Sequence, residues 1–258
     1  MRVSVRSLGT HPARPQLARM SQVIYPYKPL RSLTDNLWQV EGSLRLPVPR
    51  NMTVWRAPDG RLVLYSVVAM YEQGMRALEA LGTPAFMVIP HRRHRMDAPF
   101  YKARYPNIRV LAESARVLEG GPAGLVVEGA LAELSELGVR AERIPGTSSD
   151  DIAMDVPLTG GQEGGPAGGR GLCVCELLTN FELPGAFGRL AGRILGPPGG
   201  GLGISRVVRF REVVDRAALR AWLTGQAERD DLRLLLVAHG DPTLGNVSDA
   251  LRRAATQI

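Results

Sequence analysis

Short apolar runs alternate along this chain with segments of helical periodicity. Ala85–Ile89, Ile108–Ala112 and Leu232–Ala238 each contain one polar residue at most, which is typical of strands that are buried on both faces of a sheet. Such strands occur in parallel or mixed sheets whose faces are covered by helices. The alternation of these apolar runs with helical segments limits the fold more strongly than any other feature of the sequence. It predicts an α/β protein.

The segments between the apolar runs predict the covering helices and the remaining strands. We expect helices over Tyr71–Leu81, Asp97–Tyr105, Pro184–Leu195 and Arg211–Gln226, and a last helix that begins after Asn246. In the helix over Arg211–Gln226 the predicted buried face contains Val214, Ala217, Ala218, Ala221 and Trp222. Further strands are predicted over Leu37–Val40, Met52–Ala57, Leu62–Val67, Val139–Ile144, Asp151–Leu158 and Gly171–Leu178. This alternation of strands and helices indicates βαβ units.

Residues 1–19 do not follow this pattern. They include Arg2, Arg6, Arg14 and Arg19 but no acidic residue and no apolar core of signal-peptide length. We expect a disordered tail, or a start assigned too early, with Met20 as the first residue of the protein. Residues 20–258 are enough to bury a large core, and we expect them to form a single domain.

Charge and composition limit the partners. The formal net charge is +7, but without residues 1–19 the excess falls to +3, and aromatic residues make up only 5% of the chain. Few aromatic side chains are then available to stack on bases, so we expect no nucleic acid partner. No apolar run reaches the roughly 18 residues that a membrane span needs, so we expect no membrane span. The two cysteines, Cys173 and Cys175, lie in one short segment, which suits a reducing compartment and predicts a cytoplasmic location.

Histidines follow the ends of two predicted buried strands. His91 and His94 come after Ala85–Ile89, and His239 comes directly after Leu232–Ala238. Because ligands bind at the carboxyl ends of strands in open α/β sheets, we expect these imidazoles at one edge of the fold. Imidazole nitrogens bind zinc, so His91, His94 and His239 are candidate metal ligands. A structural or surface role for each histidine is the alternative.

Several short motifs add a resemblance to a known superfamily. An opening hairpin is indicated by Met52–Arg56, the turn Pro58–Gly60 and Leu62–Val67. The segment Pro90–His94 stands where a metal-binding H-x-H-x-D-H signature is expected. Two later strand ends that look like ligand-carrying segments are Glu176–Asn180 and His239–Asp241. On these residues the chain resembles the metallo-β-lactamase superfamily. The resemblance implies an αββα sandwich of two mixed β-sheets flanked by helices, with a metal-dependent hydrolytic site.

The signature that the resemblance implies is eroded in this chain. Two residues separate His91 from His94 where the superfamily has one, Asp97 has no histidine after it, and Glu176 stands where aspartate is usual. Asp97 and Glu176 are then the candidate carboxylate ligands or general bases. This set predicts an incomplete site without a two-zinc hydrolytic centre, which holds either no metal or one zinc, iron or manganese ion.

Arginines beside the histidines lead to a second interpretation. Arg92, Arg93 and Arg95 flank His94, and their guanidinium groups would oppose a divalent cation while favouring a phosphate or a carboxylate. Two functions therefore stay open. In the first, the protein lacks a hydrolytic centre and binds an anionic small molecule or a partner protein through Arg92 and Arg93. In the second, His94, His239 and a carboxylate form the mononuclear centre of a metal-dependent hydrolase.

Overall fold

The strands assemble into two stacked sheets. The computed structural model describes residues 23–43, 48–160, 168–182, 185–197 and 201–258, so the tail predicted over residues 1–19 lies outside the described residues. Within these ranges the first sheet has six strands: β1 (Arg31–Thr34), β2 (Leu37–Gly42), β3 (Arg50–Arg56), β4 (Arg61–Tyr65), β5 (Thr83–Val88) and β6 (Arg109–Leu111). The strands lie in sequence order; β1 to β4 are antiparallel neighbours, whereas β4, β5 and β6 are parallel.

The second sheet is also mixed. Its five strands in the described ranges are β7 (Arg140–Arg143), β8 (Ile152–Pro157), β9 (Arg170–Asn180), β10 (Leu232–Gly240) and β11 (Thr243–Leu244). Their order in space is β11-β10-β9-β8-β7. β9 and β10 are parallel, and the other neighbours are antiparallel.

Six α-helices lie in the described part of the chain. They are α1 (Glu72–Glu79), α2 (Ala98–Arg104), α3 (Gly185–Leu195), α4 (Arg206–Arg211), α5 (Arg216–Ala227) and α6 (Val247–Thr256), and short 3-10 segments span Arg92–His94, Ala115–Leu118 and Leu131–Leu137. α1 and α2 pack on the first sheet, and α5 and α6 pack on the second. No helix in the described part of the chain combines the length and apolar character that crossing a bilayer requires.

Apolar side chains fill the space between these layers. One cluster, which includes Trp55, Val88, Cys175 and Leu236, lies between the two sheets. A second cluster lies between the first sheet and its helices, and a third lies between the second sheet and its helices. The protein is therefore an αββα sandwich of two mixed sheets flanked by helices, and the predicted fold class is confirmed.

The helix predicted over Arg211–Gln226 is wrong in its start and in its buried face. α4 ends at Arg211, and α5 begins only at Arg216, where the side chain of Asp215 accepts the backbone N–H of Ala218 as an N-cap. Val214 is 69% exposed because it lies before this cap. The buried face of α5 consists instead of Leu219, Leu223 and Ala227, which recur every four residues.

Hydrogen bonds between the two sheets fix their relative position. The side-chain amide of Asn51 in β3 donates to the carbonyls of Val237 and Gly240 in β10, at 2.9 and 2.6 Å. Farther along the sandwich, the Tyr65 hydroxyl donates to the Ile152 carbonyl at 2.6 Å. Since buried carbonyls need donors, these bonds favour one alignment of the sheets over others. The ends of β5 and β10 are thereby held on one edge of the sandwich.

We expect Tyr65→Phe to lower the free energy of unfolding by about 1–3 kcal/mol, because it leaves the Ile152 carbonyl buried without its donor. Urea denaturation followed by circular dichroism measures the change. Tyr71→Phe removes the same hydroxyl from a side chain that is 58% exposed, so its effect should stay within about 0.5 kcal/mol. Equal losses in the two variants would contradict a role of the Tyr65 hydroxyl in joining the sheets.

Candidate metal centre

Three buried side chains converge at the edge of the sandwich. His94 lies in the 3-10 segment after β5, Glu176 lies in β9, and His239 lies near the end of β10. His94 Nε2 is 3.0 Å from Glu176 Oε1 and 3.2 Å from His239 Nε2, and the distance from His239 Nε2 to Glu176 Oε1 is 3.5 Å. Three potential ligand atoms thus face one point.

Strand topology explains this convergence. β5 runs parallel to β4 and β6, and β10 runs parallel to β9. The segment after β5 and the end of β10 therefore lie where ligands bind in open α/β sheets, at the carboxyl ends of parallel strands. The structure brings His94 and His239 together from positions far apart in the sequence.

A bulge in β9 brings Glu176 to the same point. Val237 in β10 pairs with Val174 in β9, but His239 pairs with Thr179, so the β9 residues 175–178 oppose a single residue of β10. Bulges re-aim side chains and are frequent beside functional sites. Asp151, which is buried, supports the bulge because its Oδ2 accepts the consecutive backbone N–H groups of Glu176 and Leu177, at 3.1 and 2.8 Å.

Hydrogen bonds on the outer side of each imidazole orient both rings. His239 Nδ1 lies 2.7 Å from the carbonyl oxygen of Pro49. A carbonyl only accepts, so neutral His239 carries its proton on Nδ1 and turns the lone pair of Nε2 toward the centre. His94 Nδ1 lies 2.7 Å from Ser66 Oγ, and a hydroxyl can donate or accept. His94 can therefore present either an N–H or a lone pair to Glu176.

Ser66 reaches His94 from an unusual backbone conformation. Its φ is +60°, in the left-handed region that non-glycine residues rarely adopt. The residue is fully buried just after β4, and its backbone N–H donates to the Val88 carbonyl at 3.3 Å. Such conformations cost free energy and occur most often at functional sites.

Burial sets the protonation of the centre. Burial lowers the pKa of His94 to about 4 despite the opposing hydrogen bond with Glu176, and the neighbouring His239 acts in the same direction as burial, so the ring is neutral at pH 7. Burial also opposes ionisation of Glu176, but the contacts of its carboxylate with His239 and His94 outweigh burial and hold the pKa of Glu176 well below its usual range. The pKa of Asp151 is well above its usual range because of burial and the nearby charge of Glu176. Burial lowers the pKa of His91 as well.

An arginine and a second glutamate adjoin the three converging residues. Arg93 Nη1 lies 2.9 Å from Glu176 Oε2 and 2.9 Å from Glu212 Oε1. His91 lies beside this pair: its Nε2 is 3.7 Å from Glu212 Oε2, and its Nδ1 is 3.9 Å from Glu176 Oε1. His91 Nδ1 also accepts the backbone N–H of Arg93 at 3.2 Å. His91 thus adjoins the centre without joining the convergent set.

The other predicted site residues lie apart from the convergent set. Asp97 forms a buried ion pair with Arg50 and accepts the backbone N–H of Ala69 at 3.0 Å. Its carboxylate thus holds the start of β3 against α2. Arg92 has an exposed side chain, and Arg95 is buried with its guanidinium donating to the Val117 carbonyl.

The sequence interpretation missed Glu212, Asp151 and the contact of Ser66 with His94. Glu212 falls in the segment that was predicted to be helical, where a glutamate is ordinary, yet its side chain is directed at Arg93. Asp151 is the residue before a strand, where an acid indicates only a turn. Both acidic residues are buried. Burial of an acid would have indicated a functional or structural role, but the sequence around each residue does not show that it is buried.

The donor set fits one divalent metal ion. Two imidazole nitrogens and one carboxylate oxygen are the protein ligands of many catalytic zinc sites, which leave a fourth position open. Metal-bound histidines usually donate their other N–H to a carbonyl or carboxylate, as His239 does to Pro49. In neutral His239 the lone pair of Nε2 faces the Glu176 carboxylate, an arrangement that a cation between them would stabilise.

Comparisons with known proteins identify the fold. A scan against protein-family models finds no match, and neither does a search of curated proteins. Among solved structures, a metallo-β-lactamase from Erythrobacter litoralis has a TM-score of 0.56 at 16% identity, with 89% of this chain and 96% of that chain covered. The metallo-β-lactamase FIM-1 from Pseudomonas aeruginosa, in its mono-zinc form, has a TM-score of 0.55 at 14% identity, with 91% and 96% covered. At these identities the likeness concerns the fold alone, and this chain has the metallo-β-lactamase-like fold.

Proposed function

We propose that this protein binds one divalent metal ion through His94, Glu176 and His239 and acts as a metal-dependent hydrolase with a single-ion centre. The observation that carries the proposal is the convergence of His94 Nε2, His239 Nε2 and Glu176 Oε1 on one point. Zinc suits two imidazoles and a carboxylate best; iron and manganese are the alternatives. When bound, such an ion polarises a carbonyl or phosphoryl oxygen and lowers the pKa of water at the site.

The chain's own residues hold and orient the three ligands. The Pro49 carbonyl fixes the tautomer of His239. The Ser66 hydroxyl can accept a hydrogen bond from His94 Nδ1, which leaves the lone pair of His94 Nε2 for the metal ion. Asp151 anchors the backbone of Glu176. Outer partners of this kind are what keep ligand atoms in place when the ion exchanges. The metallo-β-lactamase FIM-1, which shares the fold, has a mono-zinc form, so a chain with this fold can hold a single zinc ion.

The anion-binding alternative has less support from the contacts. Arg93 Nη1 already contacts Glu176 and Glu212, so an anion at Arg93 would meet two carboxylates. The alternative therefore depends on Arg92, whose side chain is exposed. The eroded signature, a single domain over residues 20–258 and a cytoplasmic location stay predictions of the sequence.

Protein purified without chelator should contain about one zinc, iron or manganese ion per chain. We expect His94→Ala/His239→Ala to lose this ion, because two of three ligand atoms are removed. Inductively coupled plasma mass spectrometry measures the content. His91→Asn is the matched control: it removes the buried imidazole outside the convergent set, and its amide oxygen can replace Nδ1 as acceptor for the Arg93 N–H. An unchanged metal content in the double variant would exclude His94 and His239 as ligands.

We expect Ser66→Ala to weaken metal binding by roughly 10–100-fold, the usual cost of losing an outer partner of a ligating histidine. Titration of the metal-free protein with Co²⁺, followed by its visible absorbance, gives the dissociation constant. Ser114→Ala is the control, since the Ser114 hydroxyl bonds Asp150 instead. Unchanged Co²⁺ affinity in Ser66→Ala would show that His94 needs no support from Ser66.

Zinc-loaded protein should hydrolyse at least one activated substrate among p-nitrophenyl esters, bis(p-nitrophenyl) phosphate and a chromogenic β-lactam. We expect turnover to disappear in Glu176→Gln and after chelation, and to return when zinc is added back to the wild type alone. Metal-loaded wild type that turns over none of these substrates would contradict the hydrolase while leaving the metal-binding centre in place.

A further inference from the structure

The guanidinium of Arg93 occupies a point between two buried carboxylates. The same nitrogen, Nη1, is 2.9 Å from Glu176 Oε2 and 2.9 Å from Glu212 Oε1. Arginine more often pairs with a carboxylate through two parallel N–H bonds. Here one nitrogen serves two carboxylates, so a positive charge is placed between them as a small cation would be. Glu176 turns Oε1 toward the two imidazoles and Oε2 toward Arg93.

The side chains around this point, those of Glu176, Glu212 and His91, are of residue types that bind metal ions. The side chains of Glu176 and Glu212 are only 10% and 9% exposed, and that of His91 is 1% exposed. His91 Nε2 lies 3.7 Å from Glu212 Oε2 and has no hydrogen-bond partner among the described residues. Carboxylate oxygens and imidazole nitrogens bind zinc and manganese. Two neighbouring buried carboxylates also need a compensating cation, because an unpaired buried charge is costly.

We propose that Arg93 supplies this charge in place of a second divalent ion, and so limits the centre to one metal ion. The inference rests on the proposed function for the first ion only. A divalent ion between Glu176 and Glu212 would meet the guanidinium at contact distance, and like charges repel strongly in a partly buried site. Without the guanidinium, the two carboxylates and His91 are available to a second ion.

Arg93 can be replaced without a large loss of packing because its side chain is partly exposed. The Arg93 side chain is 48% exposed, whereas both carboxylates are buried. Removing Arg93 therefore leaves little of the packed core disturbed and opens a position lined by two acids. Arg92, adjacent in the chain and also exposed, offers the same change of charge and has no carboxylate pair at its nitrogen among the residues that the structure describes, so it is the matched control.

The test measures bound zinc per chain in full-length protein after equilibration at one fixed free zinc concentration. The variants are wild type, Arg93→Ala, Arg93→Gln, Arg93→Lys, Arg93→Ala/Glu212→Gln and Arg92→Ala. We expect about one ion in the wild type, Arg93→Lys and Arg92→Ala, and about two in Arg93→Ala and Arg93→Gln. The double variant should return to about one. Arg93→Gln keeps an N–H donor for the carboxylates, so it serves if Arg93→Ala does not fold, and thermal melting by circular dichroism verifies folding.

Each outcome has one meaning. A gain of about one ion in Arg93→Ala or Arg93→Gln over the wild type, reversed by Glu212→Gln, supports the role of Arg93. Folded Arg93 variants that bind the same number of ions as the wild type, or fewer, overturn the role of Arg93, whereas the proposed function is judged by the ion that the wild type binds. Wild type that binds no zinc contradicts the proposed function instead, because the gain is measured as a difference between variant and wild type.

Discussion

His94 follows a strand of the first sheet and His239 lies in a strand of the second, so the candidate centre depends on the hydrogen bonds that cross between the sheets beside it. The Asn51 amide reaches the carbonyls of Val237 and Gly240, which flank His239 in β10. The Pro49 carbonyl, one residue before β3, accepts from the ring of His239 itself. The first sheet thus holds the end of β10 on both sides of the imidazole. The bond from Asn51 to Val237 is buried and the other two are partly buried, so water competes with them less than with exposed hydrogen bonds.

Charge balance accounts for the composition of the site. The carboxylates of Glu176 and Glu212 outweigh the guanidinium of Arg93 by one negative charge, which a cation beside the histidines would balance. A bulge in β9 directs Glu176 so that its two oxygens serve different partners, the imidazoles on one side and the guanidinium on the other. In this arrangement the arginines near His94 do not simply repel a metal ion. Under the proposal, Arg93 takes one position for positive charge and leaves the other to a metal ion.

The sequence predicts the framework well because apolar runs report burial directly. The three predominantly apolar runs appear as β5, β6 and β10, and the ends of β5 and β10 indicate the edge where His94 and His239 meet. Elements without such a run were harder: β1 and β11 are short, and the break between α4 and α5 depends on the cap at Asp215. Alanines in that region gave a periodic pattern that burial of Leu219 and Leu223 overrides.

The electrostatic partners could not be predicted from local sequence. Asp97 looked like a ligand, but tertiary structure pairs it with Arg50. Arg93 looked like an anchor for an anion, but it contacts two acids from other parts of the chain. Glu212 gave no signal at all, because a glutamate between a helix and its successor is commonplace. Such ion pairs depend on which strands and turns meet at the edge of the sandwich, so they follow from the tertiary structure and not from the local sequence.

The anomalous X-ray diffraction signal of a zinc-soaked crystal, collected on both sides of the zinc absorption edge, would show whether His94, Glu176 and His239 hold a metal ion. We expect one peak at about 2.0–2.2 Å from His94 Nε2, His239 Nε2 and a Glu176 oxygen, with the Arg93 guanidinium still between Glu176 and Glu212. A peak bound elsewhere, or no peak while these three side chains keep their hydrogen bonds to one another, would contradict this expectation.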